Sequence, residues 1–365
     1  DLVENAVDAG ANAICVELQD SGRRRIKVSD DGCGMSPGDA AAALMRHATS
    51  KIRIADDLLE VWTLGFRGEA LPSIASVSRM TLSSGEEDGL RHVIEVEGGA
   101  VRSQGQASGP RGTEITVEDL FFNTPARLKF LRSDTTELAA CLDHLCRLAI
   151  GYPAVSFKVA HNGQEAFATS GSGDTLQTIG EAWGWELSRA MAEICAPGSG
   201  MTVRGYVSPP HVTRPTRAYQ IVFVNGRPIR SRTLTAAVDQ AFRDLTPDRR
   251  YPLLALFLEV EPSKVDVNVS PTKSEVRFHS EGQAFEAVRF AIRAALMEHG
   301  MMPPAGAIAA ANEALVLSSE PVPPPAGPLL PGLAVAGAHT AIGSPSRLPF
   351  ASLADGLRVL GQAMD

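Results

Sequence analysis

Asp1-Leu2-Val3-Glu4-Asn5-Ala6-Val7-Asp8-Ala9-Gly10 is the stretch from which the rest of the chain is read. At 3.6 residues per turn, Asp1, Asn5 and Asp8 share one helix face, and Leu2, Ala6 and Ala9 share another. Gly10 follows where a left-handed cap would end the helix. No capping residue stands ahead of it, so the sequence is expected to be a fragment that continues upstream. The polar face sets a carboxylate and a carboxamide one turn apart. Such a pair can polarise a water and hold a hard cation through oxygen. An ordinary solvated helix face accounts for the same residues.

Two strands are expected next, over 13–18 and 24–28, joined by the turn Asp20-Ser21-Gly22. Asp30-Asp31-Gly32-Cys33-Gly34-Met35 comes straight off the second. Glycines at alternate positions let backbone pass close to a flat ligand, and an Asp at a strand end can accept from an exocyclic amine. A tight turn is the plain alternative. A calcium loop is excluded, because further spaced acids and a closing Glu are missing. A helix over 37–47 leads to a loop over 49–73. That loop region carries His47-Ala48-Thr49-Ser50-Lys51 and Leu64-Gly65-Phe66-Arg67-Gly68-Glu69-Ala70-Leu71. Hydroxyls, a lysine and glycine-freed amides suit a lid over phosphates, and equally a surface loop. No Walker loop, GxxxxGK[ST], occurs anywhere in the chain. Residues 80–117 alternate as short antiparallel strands and end in Gly112-Thr113-Glu114-Ile115-Thr116-Val117, a hydroxyl behind a glycine.

A helix over 134–150 places Leu138, Cys141, Leu142, Leu145 and Leu148 on one side. Strands over 155–160 and 165–169 flank the turn His161-Asn162-Gly163. The Gly and Ser cluster at 170–173 marks a domain boundary. Beyond it the pattern predicts helices over 176–183, 234–242 and 285–298, with strands over 203–207, 218–224 and 253–260. From Met301 the chain is Pro, Ala and Gly without periodicity, a composition expected to stay disordered.

The 365 residues are 44% hydrophobic and 21% charged, ordinary globular usage and enough for two domains. A net charge of −8 argues against a surface that coats nucleic acid everywhere. Residues 201–300 nevertheless hold 14 Lys and Arg against 10 Asp and Glu, so a polyanion would prefer that stretch. Five irregularly spaced cysteines offer neither a disulfide framework nor a zinc site. No apolar run reaches the roughly 20 residues of a membrane span, and no signal peptide opens the chain. The expected setting is cytoplasmic, without a membrane.

Taken in order, the four segments around Asn5, Asp30, Thr49 to Gly68 and Thr113 resemble the ATP-site motifs of the GHKL ATPases, the superfamily of DNA gyrase, heat-shock chaperones, sensor histidine kinases and MutL. The strings DLVENAVDAGA (1–11), DDGCGM (30–35), RHATSKI (46–52), LGFRGEALPSIASVS (64–78) and DLFFNTPARLKFL (119–131) are similar to MutL-type mismatch-repair proteins in particular. Val224-Asn225-Gly226-Arg227 and residues 265–273 extend the likeness to about residue 300.

The resemblance implies an α+β chain. A Bergerat-type α/β sandwich with a mixed, mainly antiparallel sheet (1–172) would be followed by a smaller ribosomal-protein-like α/β domain (173–300) and a linker (301–365). It implies an ATPase in which Asp1 is the general base, Asn5 holds Mg²⁺, and Asp30 reads the adenine amino group. Gly32, Gly34, Met35, Thr49, Ser50 and Lys51 would line the nucleotide pocket. Gly65, Phe66, Arg67 and Gly68 would form the lid, with Thr113 near the base and Lys273 reaching the γ-phosphate from the second domain. The family has Glu where this chain has Asp1, which shortens the reach by about 1.5 Å. A misplacement of about 1 Å can cost on the order of 100-fold in rate. Glu4 ranks second as base because it lies off that face.

The partners implied are DNA, bound without sequence preference, a mismatch-recognition protein of MutS type, and a second copy in an ATP-dependent homodimer. Association with the nucleoid during repair would follow. Arg214, Arg217, Arg227, Arg230 and Arg232, with Arg249 and Arg250 nearby, are the candidate phosphate contacts. Scattered surface arginines are the alternative. Two other functions remain open: another GHKL ATPase such as a topoisomerase subunit, which LGFRGEALPSIASVS and FFNTPARLKFL disfavour, and a non-catalytic ATP-gated DNA-binding scaffold, which Asp1 favours. Whether a C-terminal endonuclease accompanies these residues is not legible in them.

Overall fold

The structure, a computed structural model, describes residues 1–45, 69–198, 200–266 and 276–302. Helix α1 (Leu2–Asp8) leads into strands β1 (Ala13–Gln19) and β2 (Arg25–Asp30), with a 3-10 turn at Asp20–Gly22 between them. Then come α2 (Pro37–Ala42), α3 (Ala70–Ala75), the strands β3 (Arg79–Gly85), β4 (Arg91–Glu97), β5 (Ala100–Ala107) and β6 (Gly112–Glu118), and the short α4 (Pro125–Lys129). The long α5 (Asp134–Gly151) and the hairpin β7 (Ser156–His161) and β8 (Gln164–Ser170) follow. Asn162 and Gly163, at φ 50° and 80°, supply the two left-handed positions that a tight hairpin turn requires.

These eight strands form one sheet in the order β5-β4-β3-β6-β2-β1-β7-β8. The β1–β7 pair is parallel and the rest are antiparallel, so the sheet is mixed and mainly antiparallel as expected. Two apolar clusters build its core. One sets Val3 and Ala6 of α1 against Ile14, Val16, Leu145, Leu148 and Phe157; the other joins Ala40, Leu71 and Ala75 to Met80, Leu82, Ile94, Ile115 and Val117. Burying a side chain such as Phe157, 1% exposed, contributes about 1.5–3 kcal/mol.

Beyond β8 lie α6 (Thr175–Trp183), α7 (Trp185–Ala190), β9 (Ala192–Ala196), β10 (Met201–Val207), β11 (Thr213–Arg214), β12 (Gln220–Val224) and β13 (Arg227–Pro228). The chain continues through α8 (Arg232–Ala241), β14 (Tyr251–Pro252), β15 (Leu254–Val260), β16 (Val265–Asp266), β17 (Arg277–Phe278) and α9 (Glu281–Glu298). Asp174 and Ser231 cap α6 and α8 by accepting from backbone amides of the first turn. A five-stranded sheet runs β13-β12-β15-β10-β9, with β12 parallel to β15. Helices α8 and α9 cover one face through Leu234, Val238, Val288 and Ile292. Ile150 of α5, Ile179 of α6 and Met191 cover the other, against Ile221, Phe223 and Ala255. Every described residue falls within one unit, Asp1–Glu313.

The expected loop over 49–73 needs correction at its end, because α3 begins at Ala70. Pro72 falls in its first turn, where its missing N–H costs no helix bond. The strand expected from 218 starts at Gln220, since Arg217–Tyr219 is a 3-10 turn. Helices α4 and α7, one turn or little more, were too short for periodicity to signal. Among the described residues no helix is long and apolar enough to cross a membrane.

Candidate functional site

The ends of β2, β6 and β3 lie side by side, Asp30 opposite Thr113 and Thr113 opposite Ser84. Lower down, the same strand face carries core residues such as Val28, Ile115 and Leu82. The polar end is therefore an exception within an apolar stripe. Asp30 Oδ1 accepts from the Gly32 amide at 3.0 Å and the Thr113 amide at 3.3 Å. Among the described residues no donor reaches its second oxygen. The Thr113 and Ser84 hydroxyls lie 2.8 Å apart, and Ser84 Oγ also donates to the Gly112 carbonyl at 3.3 Å. Burial is the largest influence on Asp30 and pushes its carboxyl above the ordinary 3.8, while the two amides pull it down.

Two glycines let other backbone approach this corner. Gly34, at φ 72°, lies against the Gly85 carbonyl, and Gly112, at φ 117°, lies against the Asp30 carbonyl. A Cβ at either position would collide with backbone that has no room to yield. Helix α1 is tied to the same loop. The Cys33 amide donates to Ala9 O at 2.9 Å, and Asp31 Oδ1 accepts from the Asn12 and Ala13 amides at 2.7 and 2.9 Å. The helix carrying Asn5 is thus fixed beside the Asp30 corner. Val3 and Ala6 face the core, a wider apolar stripe than Leu2, Ala6 and Ala9. Asp1 is the N-cap residue, and its side chain is 65% exposed.

Of the residues singled out in the sequence, Asn5, Asp30, Gly32, Gly34 and Thr113 gather here, and Met35 packs against the apolar cluster below. Thr49, Ser50, Lys51, Gly65, Phe66, Arg67, Gly68 and Lys273 lie outside the described residues. Sequence reasoning missed Ser84. The alternation Met80, Leu82, Ser84 puts its hydroxyl on the core face, a signal that was available. Oxygen groups around a half-buried carboxylate suit a ligand that donates from an amino group, and a carboxamide on the adjoining helix suits a hard cation. The residues present fit an adenine nucleotide and Mg²⁺. No group of three or more His, Cys, Asp and Glu side chains that would hold a metal occurs among the described residues.

The arginines divide by environment. Arg217 forms a two-pronged bond to Asp239 at 2.7 and 2.9 Å and stacks on Tyr251 at 4.1 Å. Arg214 donates to the Thr213 carbonyl and lies over Tyr219 at 5.4 Å. Arg250 is held by Thr213, Arg230, Arg232 and Arg249 are exposed, and Arg227 is only 6% exposed. The cysteines are free, and burial pushes the Cys146 thiol up to about 12, which disfavours its reactive thiolate.

Comparison with known proteins points the same way. Residues 1–120 match a family model described as histidine kinase-, DNA gyrase B- and HSP90-like ATPase. Residues 179–297 match one described as DNA mismatch repair protein, C-terminal domain. DNA mismatch repair protein MutL of Desulforudis audaxviator is 49% identical over 83% of the chain, and MutL of Geobacillus kaustophilus is 46% identical over 83%. The chain spans 54% and 48% of those two proteins' lengths. The structure of the Aquifex aeolicus MutL ATPase domain complexed with ADP superposes with a TM-score of 0.55 at 29% identity, covering 72% of this chain and 89% of that one. The N-terminal domain of a DNA repair protein shares the fold at a TM-score of 0.71 and 24% identity, covering 83% of this chain and 94% of that one.

Proposed function

The chain belongs to the MutL family of DNA mismatch repair proteins, and from that premise we propose that it binds ATP beside Asp30 and hydrolyses it slowly to ADP and phosphate. Its nucleotide state would control dimerisation, DNA binding and the link from a MutS-type recognition protein to later repair factors. The observation that carries this reading is the Asp30 carboxylate, gripped on one oxygen by two amides inside a glycine-lined corner.

In this mechanism Asp30 accepts from the adenine amino group, and Thr113 and Ser84 hold the water or ring nitrogen beside it. The Asn5 carboxamide oxygen on α1 would hold the metal. Mg²⁺, when bound with ATP, offsets the charge of the phosphates. Asp1 takes the proton from the attacking water as its oxygen bonds to the γ-phosphorus and the bond to the β-phosphate oxygen breaks, releasing ADP. By resemblance to the family, Thr49, Ser50 and Lys51 would belong to the pocket, Gly65 to Gly68 to the lid over the phosphates, and Lys273 would reach the γ-phosphate, all of them outside the described residues. The ATP-binding domain would then be 1–172, the DNA-facing domain 173–300 and the linker 301–365.

Asp1 also supports a second reading, an ATP-gated scaffold that hardly turns over. Its shorter side chain leaves the attacking water about 1.5 Å further from its base. The experiment is Mg²⁺-dependent ATP hydrolysis with and without duplex DNA, beside Asn5→Ala, Asp30→Asn and Asp1→Glu. Slow turnover that DNA raises and the first two variants remove supports the ATPase. Binding without turnover, restored by Asp1→Glu, supports the scaffold. Failure to bind ATP refutes both.

A further inference from the structure

Three elements meet at the C-terminal end of α5. Tyr152, just past the helix, packs on the same apolar cluster as Leu2 and Val7 of α1. Its hydroxyl donates to the Gly226 carbonyl at 2.6 Å. Gly226 and Asn225, at φ 79° and 48°, form the turn between β12 and β13, and the next residue is Arg227. One turn back along α5, Arg147 donates to the carbonyls of Ala218 at 2.9 Å and Gln220 at 3.5 Å. Gly151 leaves room for the Phe223 ring, which a Cβ there would strike. The end of α5 is therefore fastened to α1 on one side and to the β12–β13 hairpin on the other.

Charge follows the same line. Glu4 and Asp8 of α1 both act electrostatically on the Tyr152 hydroxyl and on the Arg227 guanidinium. These two carboxylates bracket Asn5 in the sequence. At 6% exposure Arg227 is out of reach of a duplex backbone, and a guanidinium so deeply placed needs opposite charge nearby. We propose that Arg227 is a positioning residue of the nucleotide site. With Tyr152 and Gly226 it forms a clasp through which the five-stranded sheet sets the angle of α1, and with it the Asn5 carboxamide. This rests on the assignment of Asn5 to the metal–nucleotide. It separates Arg227 from the exposed Arg230 and Arg232.

The test is calorimetric binding of ADP with Mg²⁺ and with EDTA, and of duplex DNA across a salt series. Partners that orient a metal ligand typically matter by about 10- to 100-fold in metal affinity. Arg227→Met is expected to weaken Mg²⁺·ADP binding by about tenfold or more while metal-free ADP and the DNA salt slope stay near wild type. Tyr152→Phe shifts the same ratio less. Adding Asp8→Asn to Arg227→Met recovers part of the loss, because the stranded carboxylate is removed. If Arg227→Met does not fold, Arg227→Lys and Tyr152→Phe read the same ratio. An unchanged ratio with a DNA salt slope lowered by about 1 would make Arg227 a phosphate contact and overturn the clasp. Wild-type protein that binds no nucleotide refutes the site itself instead.

Discussion

The two sheets use burial in opposite ways. Strand β15 of the five-stranded sheet, Leu-Ala-Leu-Phe-Leu-Glu-Val, is apolar toward both faces because helices cover it above and below. In the eight-stranded sheet β5 is exposed along its whole length, and the covered face ends in Asp30, Thr113 and Ser84. Burying a polar group costs free energy unless it is paired, so selection for stability alone would have left aliphatic residues there. The second sheet is a scaffold whose charges, the buried Arg227 of β13 apart, lie on its rim. The first gives up part of its core to a site.

The largest effect that would sharpen this contrast is Leu256→Ala, at a fully buried position in the second sheet. Truncations of this kind cost about 2–5 kcal/mol. Denaturant unfolding should show that loss, while nucleotide affinity of the folded protein stays at the wild-type value. A matching drop in affinity at low denaturant would break the division of labour.

Asp30→Asn should act in the reverse sense. Loss of a charged acceptor is expected to weaken ADP binding by about 1.5–3 kcal/mol, about 10- to 150-fold. Stability of the ligand-free protein should rise at neutral pH. Burial holds the folded-state Asp30 carboxyl above its ordinary 3.8, so its contribution is favourable below that value and is lost as pH rises through the raised one. The asparagine keeps an oxygen for both amides without the buried charge. Its stability advantage should therefore vanish as pH falls below about 3.8. Melting curves of both proteins from pH 3.5 to 7.5 check this, and an advantage independent of pH would assign it to something other than the charge.

The backbone was largely legible in the sequence, because α1, the Asn162-Gly163 hairpin and α9 announce themselves through local periodicity and turn chemistry. The corner was half legible. Asp30, Gly34 and Thr113 lie within strings that resemble a known family, but Ser84 belongs to no motif and acquires its partner through the pairing of β3 with β6. The arginines were least legible. Arg227 and Arg232 are five residues apart and equally basic, yet one is buried and the other exposed; the turn just before Arg227 is bonded to Tyr152, 74 residues away in sequence. Burial of a long cationic side chain is decided by tertiary contacts of that range, which no local pattern reports.

A third variant, Ser84→Ala, probes whether the hydroxyl pair serves the fold or the ligand. Ser84→Ala deletes the 2.8 Å hydroxyl pair while the Thr113 amide keeps its bond to Asp30, a net loss of about 0.5–1.5 kcal/mol. If the pair serves the ligand, the change appears as up to about tenfold in nucleotide affinity with little movement in the melting temperature. The opposite pattern would place Ser84 with Leu82 and Met80 as core.

The smallest effect belongs to the rim. Arg217 is already committed to Asp239 and Tyr251, with side-chain exposures of 37% and 46% for the ion pair. Pairs of that exposure contribute about 0.2–1 kcal/mol to stability. Arg232, at the start of α8, is exposed. Arg217→Gln should thus cost a little stability and leave DNA binding alone, whereas Arg232→Gln should leave stability alone and lower the salt slope of DNA binding by about 1. The difference matters more than either value. Both residues were equal candidates on charge alone, and the Asp239 carboxylate and Tyr251 ring already occupying Arg217 separate them. If both variants lower the slope equally, the Asp239 pair opens when DNA binds, and the rim is a surface that rearranges rather than one that waits ready.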